Sequence, residues 1–442
     1  MSNRCDGLGA GQGCSDFVTS QFILFARNRI TNYGFANYMF QTNEGPSNPA
    51  HQFIFGGTSS AAGSSGQQYY QDFTVGNPNI LNDTGCAGDL SNFINQIDQN
   101  GKISGNGGPP SIFPCFDHNT LANLLDPNIS WRYYASPASP PSTNGLWTAP
   151  NSIKDICAVI GTNCGGPEWD NHVVSDSRRI LADLEPPSGS NPGCDLPAVS
   201  WVIPSGDRSD HPGLAENQSS TLIEHGPAWV ADVINEVGTT TCADNGVPYW
   251  QDTAIFVTWD DWGGFWDHID PNQPGGPGVK INNPPTQTCD STTTFGCGYT
   301  YGFRVPLMVV SAYTGTLKNG VYGGYVSGAC GPGQPTNCPN LNPPFVHDFG
   351  SILAFIENNF LGQSFIGRIN PQYKFADAFA PEFLKGFIPL ADFFGLPSAR
   401  PFVPIILPPA WQSYDANYFS QLQRSNYGSR QRCDRRPRVS LL

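Results

Sequence analysis

Four short apolar runs punctuate the 442-residue chain, at 129–135, 198–203, 254–259 and 304–311. Strands buried on both faces read this way, because helices cover both sides of the sheet. Two other stretches repeat their apolar residues at helical spacing. Segment 228–237 sets Val230, Val233 and Ile234 on one face, and segment 349–360 does the same with Ile352, Leu353 and Ile356. The alternation predicts an α/β domain with a mainly parallel central sheet. Between the elements lie Gly/Pro/Asn-rich connections at 272–294 and 331–344, too long for simple turns and expected to be functional lids, disulfide-pinned insertions, or both.

Composition narrows the class. Hydrophobic residues at 39% are enough for a large core, while 49 glycines and 40 prolines without a period imply long loops and exclude collagen-like repeats. Charged residues make up only 13% and the formal net charge is -14, which argues against nucleic acid or an anionic membrane as the main partner. Arg424, Arg430, Arg432, Arg435, Arg436 and Arg438 form the one basic cluster. It predicts a flexible, solvated tail over 406–442 behind one domain spanning 1–405.

Thirteen cysteines with no Cys-x-x-Cys motif point to disulfide-closed loops and an oxidising, extracytoplasmic compartment. The close pairs Cys5/Cys14, Cys157/Cys164, Cys289/Cys297 and Cys330/Cys338 are the candidates, with Cys433 the thiol left over. No apolar run reaches membrane-spanning length, and residues 1–20 lack the charged-then-apolar order of a signal peptide.

The strongest chemical signal is Thr258-Trp259-Asp260-Asp261-Trp262-Gly263-Gly264-Phe265-Trp266-Asp267-His268, where an apolar strand runs into adjacent carboxylates, a double glycine and a histidine. Ligands of open α/β sheets bind beyond the carboxyl ends of the strands. Paired carboxylates there call for a divalent cation, with Mg, Mn or Ca favoured by hard oxygen ligands and Zn an option. A capped turn is the competing reading. The second candidate is Ser47 in Asn43-Glu44-Gly45-Pro46-Ser47-Asn48-Pro49-Ala50-His51, two residues before a proline that can start a helix. A serine there is either a nucleophile whose phosphoryl partner meets the helix dipole and free amides, or an ordinary N-cap. His51 reads as a core or capping histidine. The third candidate is His211, in the loop after the second run, for phosphoryl binding or leaving-group protonation alongside His268.

In this order, Gly45-Pro46-Ser47-Asn48-Pro49-Ala50-His51-Gln52, Ser209-Asp210-His211-Pro212, Trp259-Asp260-Asp261-Trp262-Gly263-Gly264-Phe265-Trp266-Asp267-His268, Gly302-Phe303-Arg304-Val305-Pro306 and Asp348-Phe349-Gly350-Ser351-Ile352 resemble motifs of the bacterial phosphoesterase family. That family groups phospholipases C with acid phosphatases. The resemblance implies an alkaline-phosphatase-like αβα sandwich with long loop insertions and a phosphoseryl mechanism. In it Ser47 is the nucleophile; Asp260, Asp261 and Ser47 hold a divalent metal ion; and His211 and His268 surround the phosphate. It also implies a small-molecule or lipid phosphate ester substrate and a secreted or periplasmic location.

One departure accompanies it. The family opens with an apolar strand followed by Glu-Asn-x-Ser/Thr, and nothing before Ser47 matches. Glu216-Asn217 in mid-chain reads as coincidence. The 1–405 domain is therefore expected to be N-terminally incomplete, and loss of a central strand would leave its neighbours with unpaired backbone groups. Two alternatives therefore stand beside the hydrolase. One is a non-catalytic secreted relative that keeps the fold as a binding protein. The other is a sulfatase, against which the absence of a Cys-x-Pro-x-Arg motif counts.

Overall fold

The computed structural model describes residues 32–43, 45–60, 72–98, 102–136, 145–185, 195–209, 211, 225–241, 247–263, 267, 301–328, 345–362, 364–369, 375–379, 386–406 and 438–441. The expected insertions at 272–294 and 331–344 lie outside them, as does His268.

Eight strands form the main sheet: β1 (Gly34–Ala36), β2 (Trp131–Tyr134), β3 (Val173–Val174), β4 (Val199–Val202), β5 (Thr253–Thr258), β6 (Leu307–Ser311), β7 (Tyr325–Ser327) and β8 (Arg438–Leu441). Their order is β7-β1-β6-β5-β8-β4-β2-β3. Pairing is parallel from β5 through β8, β4 and β2 to β3, and parallel again between β1 and β7. It is antiparallel on both sides of β6. The sheet is therefore mixed: its β5-to-β3 half meets the expectation of parallel strands, and the antiparallel β6 was not foreseen. All four apolar runs contain strands, and both helical stretches are helices.

The strands are apolar throughout because both faces are covered. Successive residues of β5 alternate sides: Phe256 enters one core with α1 (Ser47–Gly56) and α5 (Phe349–Phe360), and Ile255 and Val257 enter the other with α3 (Arg179–Leu184) and α4 (His225–Thr239). Strand β6 repeats the alternation, with Leu307 and Val309 against Met308 and Val310.

Helix α1 is locked onto the sheet by Phe55, whose ring lies 5.1 Å from Trp201 and 5.5 Å from Tyr133, edge to face in both cases. The Trp201 indole Nε1 also donates to the Ile54 carbonyl at 3.1 Å. Truncating a buried aromatic in such packing typically costs about 3–5 kcal/mol, so the position of α1, and of the serine at its mouth, is strongly specified.

The last described strand lies at the end of the segment expected to be a flexible tail; residues 407–437 of that segment lie outside the described residues. Residues 438–441 sit in the interior of the sheet, with Ser440 opposite both Ser200 of β4 and Ile255 of β5. An extended segment there satisfies the ladder groups of both neighbours, and that gain outweighs the pull of the preceding arginines toward solvent. Disulfides join Cys157 to Cys164, one of the expected pairs, and Cys86 to Cys115, a pairing that spacing did not suggest. The remaining cysteines lie outside the described residues. Among the described residues, no helix is long and apolar enough to cross a membrane.

Candidate active site

Chain direction and sheet order bring two distant segments together. β5 ends at Thr258 and delivers Asp260 and Asp261 to the carboxyl edge of the parallel strands, where the N-terminus of α1 also arrives. Helix α1 starts at Ser47 itself, after Pro46, so Pro49 lies within the first turn and does not open the helix. Ser47 is 4% exposed, and its Oγ lies 3.1 Å from Asp261 Oδ2, a hydrogen bond spanning 214 positions of sequence. One turn further on, the buried His51 brings Nε2 to 3.4 Å from Asp260 Oδ2. Sequence reasoning had left His51 as a core or capping residue. Its i, i+4 spacing from Ser47 was the available signal, since that spacing sets both side chains on one helix face.

The two carboxylates are driven apart electrostatically. Burial acts to raise the Asp260 carboxyl, but the His51 ring, Ser47 and the Asp261 amide outweigh it and hold the group below the usual carboxylate range. Asp261 moves the other way. Burial and the adjacent Asp260 charge push it up, against the Gly263 amide, Ser47 and His211. Its Oδ1 accepts from the Gly263 N–H at 2.6 Å, and Gly263 has φ +64, a left-handed turn that a glycine adopts without strain. Asp260 Oδ2 is sealed from solvent without a well-formed hydrogen bond. A buried anionic oxygen left so, beside a second carboxylate and a serine hydroxyl, is what a divalent cation satisfies. The oxygen-rich donor set of Asp260, Asp261 and Ser47 fits such an ion.

His211 is exposed, its ring 5.9 Å from that of Trp147 and near enough to Asp261 to act on its charge. Ser47, Asp260, Asp261 and His211 are thus brought into one region.

The helix terminus offers fewer amides than the sequence suggested. Pro49 has none, and the Asn48 N–H is taken by Asn77 Oδ1 at 3.0 Å. Asn43, four residues before Ser47, is fully buried with neither amide atom hydrogen-bonded. Sequence reasoning did not single it out.

Two other motifs prove to be supports. Arg304 holds Asp267 through Nε at 2.5 Å and Nη2 at 2.8 Å, and its Nη1 donates to the Asn37 carbonyl at 2.9 Å. This clamps the far end of the aspartate loop to the strand-like segment before Ser47. Gly302 lies where a Cβ would come within 2.8 Å of the Asn43 carbonyl, so the two segments can approach only with glycine there. Asp348 caps α5: Oδ1 accepts from the Ser351 N–H at 2.9 Å and Oδ2 from the Tyr301 hydroxyl at 2.7 Å.

Comparison with known proteins places the chain in a family. Phospholipase C A of Mycobacterium tuberculosis is 26% identical over 200 residues, 43% of this chain and 33% of that protein. Phospholipase C B of the same organism is 29% identical over 224 residues, 47% and 38% respectively. Non-hemolytic phospholipase C of Pseudomonas aeruginosa is 26% identical over 250 residues, 53% and 26%. The matches thus span about a third of the relatives' own lengths. The Phosphoesterase family itself matches residues 16–361, most of the chain and every segment that builds the serine–aspartate cluster, so this chain belongs to the Phosphoesterase family.

Proposed function

We propose that the chain is a metal-assisted hydrolase of phosphate esters, acting on a lipid or small-molecule ester in the manner of a phospholipase C or an acid phosphatase, with Ser47 as nucleophile. The observation that carries this reading is the 3.1 Å contact between Ser47 Oγ and Asp261 Oδ2, which gives a buried serine hydroxyl a carboxylate acceptor for its proton. A divalent ion held by Asp260, Asp261 and Ser47 would lower the hydroxyl pKa and polarise the phosphoryl oxygens.

The remaining chemistry belongs to the chain. Ser47 Oγ forms a bond to phosphorus as the bond to the leaving oxygen breaks. The serine proton passes to Asp261, whose Oδ2 already accepts from the Ser47 hydroxyl at 3.1 Å. His211, at the exposed side of the cluster, donates a proton to the departing alkoxide. Water then cleaves the phosphoseryl bond and returns the enzyme. His268 is proposed to share the phosphate contacts; it lies outside the described residues. With its Asn48 amide occupied and Pro49 lacking one, the α1 terminus contributes mainly its dipole.

The relatives' names favour the diester over the monoester. Disulfides and the absence of a membrane-spanning helix among the described residues fit a secreted or periplasmic setting. The test is hydrolysis of p-nitrophenyl phosphorylcholine and p-nitrophenyl phosphate by the purified chain, with and without Mg²⁺, Mn²⁺, Ca²⁺ or Zn²⁺. Turnover should require metal and fall by more than about 10³-fold in Ser47→Ala and in Asp260→Ala. Well-folded protein with no turnover under any metal would instead support a non-catalytic relative.

A further inference from the structure

A second cluster of metal-ligating side chains lies away from the serine and aspartates. Asp126 follows the short helix Leu121–Leu125, and Glu168 and His172 stand one turn apart on α2 (Pro167–His172). One ligand atom from each lies within 4.8 Å of the other two. His172 Nε2 is 3.8 Å from Asp126 Oδ2 and 3.7 Å from Glu168 Oε2, too far for a hydrogen bond to either.

The histidine is built into the fold. Its side chain is 9% exposed, and its ring stacks on Trp131 at 4.1 Å with a 4° interplanar angle. Nδ1 lies 2.9 Å from the Trp131 carbonyl oxygen. A carbonyl only accepts, so Nδ1 carries a proton, and in the neutral ring Nε2 keeps a lone pair on the side of the two carboxylates. A backbone carbonyl fixing the far nitrogen in this way is the support that metal-bound imidazoles commonly have.

We propose that Asp126, Glu168 and His172 form a second divalent-cation site, selective for a borderline ion of the Zn²⁺ type over Ca²⁺ or Mg²⁺. One imidazole nitrogen with two carboxylate oxygens, leaving a fourth position to water, matches zinc's donor preference, whereas the hard ions prefer all-oxygen sets. Metal–ligand bonds of about 2.0–2.1 Å in a tetrahedron set the ligand atoms about 3.3–3.4 Å apart, so the observed 3.7 and 3.8 Å need contract by only a few tenths of an ångström. Asp126 and Glu168 are 33% and 48% exposed, so they can make that adjustment. The site sits beside Trp131, the first residue of β2, while Asp260 follows the last residue of the parallel β5. The two clusters therefore occupy opposite edges of the sheet. Its effect is structural: it ties α2 and the edge strand β3 to the loop that enters β2.

The test uses the full chain carrying Asp260→Asn and Asp261→Asn, which removes the other acidic cluster. Zn²⁺ titration by calorimetry should find one equivalent bound, with a rise in the thermal unfolding midpoint. Co²⁺ should give the visible bands of a tetrahedral N/O site. Adding Glu168→Gln should weaken Zn²⁺ by more than about tenfold, and adding His172→Asn should abolish binding. If His172→Asn fails to fold, the half-exposed Glu168 still decides the matter. No Zn²⁺ binding in the doubly substituted background, Zn²⁺ binding unaffected by Glu168→Gln, or a preference for Ca²⁺ would each overturn the proposal.

Discussion

Arg304 and Asp267 form a two-pronged ion pair, with Nε and Nη2 each meeting its own carboxylate oxygen at 2.5 and 2.8 Å. Both side chains are largely shielded, at 21% and 15% exposure, so the geometry is worth more than a surface pair. The pair is what holds the loop carrying Asp260 and Asp261 against the segment leading to Ser47.

Arg304→Lys is therefore not conservative. Lysine keeps the charge but loses the fork and the bond to the Asn37 carbonyl. Phosphoester turnover and metal affinity should each fall by roughly 10- to 100-fold, with a loss of stability of about 1–3 kcal/mol. Steady-state kinetics at several metal concentrations, beside a urea unfolding curve, check this. Unchanged metal affinity with a large stability loss would make Arg304 a folding residue only.

Strand β8 carries a second prediction. Val439→Pro removes an amide from a strand paired on both sides, and deleting 438–442 leaves β4 and β5 facing each other as edges. The substitution should cost about 3 kcal/mol or more, and the deletion should abolish cooperative unfolding or drive the protein into aggregates. Calorimetric melts and light scattering read both. A deleted chain with an unaltered melt would mean that the sheet closes without this segment.

The fully buried His118 sets a pH dependence. Burial lowers its pKa from 6.5 to about 4, only partly offset by the Asn119 carbonyl and the Asp117 charge. Because the folded value is the lower one, the unfolded chain takes up the proton first as pH falls. Stability from this residue is complete above about pH 6.5, declines between 6.5 and 4, and changes no further below. At about 1.4 kcal/mol per unit the loss is roughly 3 kcal/mol. Comparing denaturation midpoints of the native chain and His118→Gln at pH 7 and pH 4.5 isolates it: the gap in favour of the native chain should shrink at the lower pH.

The two disulfides should differ in value. Cys86–Cys115 closes a loop of 29 residues and Cys157–Cys164 one of 7. Chain-entropy arguments give about 3.5 kcal/mol for the first and about 2.5 kcal/mol for the second. Paired Cys→Ser variants in chemical denaturation should reproduce that order. Residues 158–160 and 163–165 pair as an antiparallel hairpin inside the short loop, and a larger loss there would point to those native contacts as the dominant factor.

The parts of the fold legible in the sequence were those whose signal is local. The runs around Trp131, Val199, Ile255 and Val309 and the helical stripe of Ile352, Leu353 and Ile356 each bury apolar surface in a period that neighbouring residues reveal. The candidate residues Ser47, Asp260, Asp261 and His211 were legible for a different reason: their chemistry stands out against glycine-rich surroundings at the ends of elements. The antiparallel β6, the central β8 and the Cys86–Cys115 link were not, because each depends on a partner far away in the chain. Residues 438–441 are too short, and too close to a cluster of arginines, for any local period to mark them as a strand.

By itself, then, the sequence determined an α/β domain, its main strands and helices, and a set of candidate residues with the chemistry proposed for a phosphate ester. Only the tertiary structure decided which of them meet. Ser47 finds Asp261, and His51 finds Asp260, because α1 begins and β5 ends at the same edge of one sheet. Asp126, Glu168 and His172 gather at the other edge, where a stacked tryptophan fixes the imidazole. Hydrophobic periodicity specifies which face of an element is buried. Contacts between residues hundreds of positions apart follow from strand order and direction, and those are settled only when the backbone hydrogen bonds of the whole sheet are satisfied together.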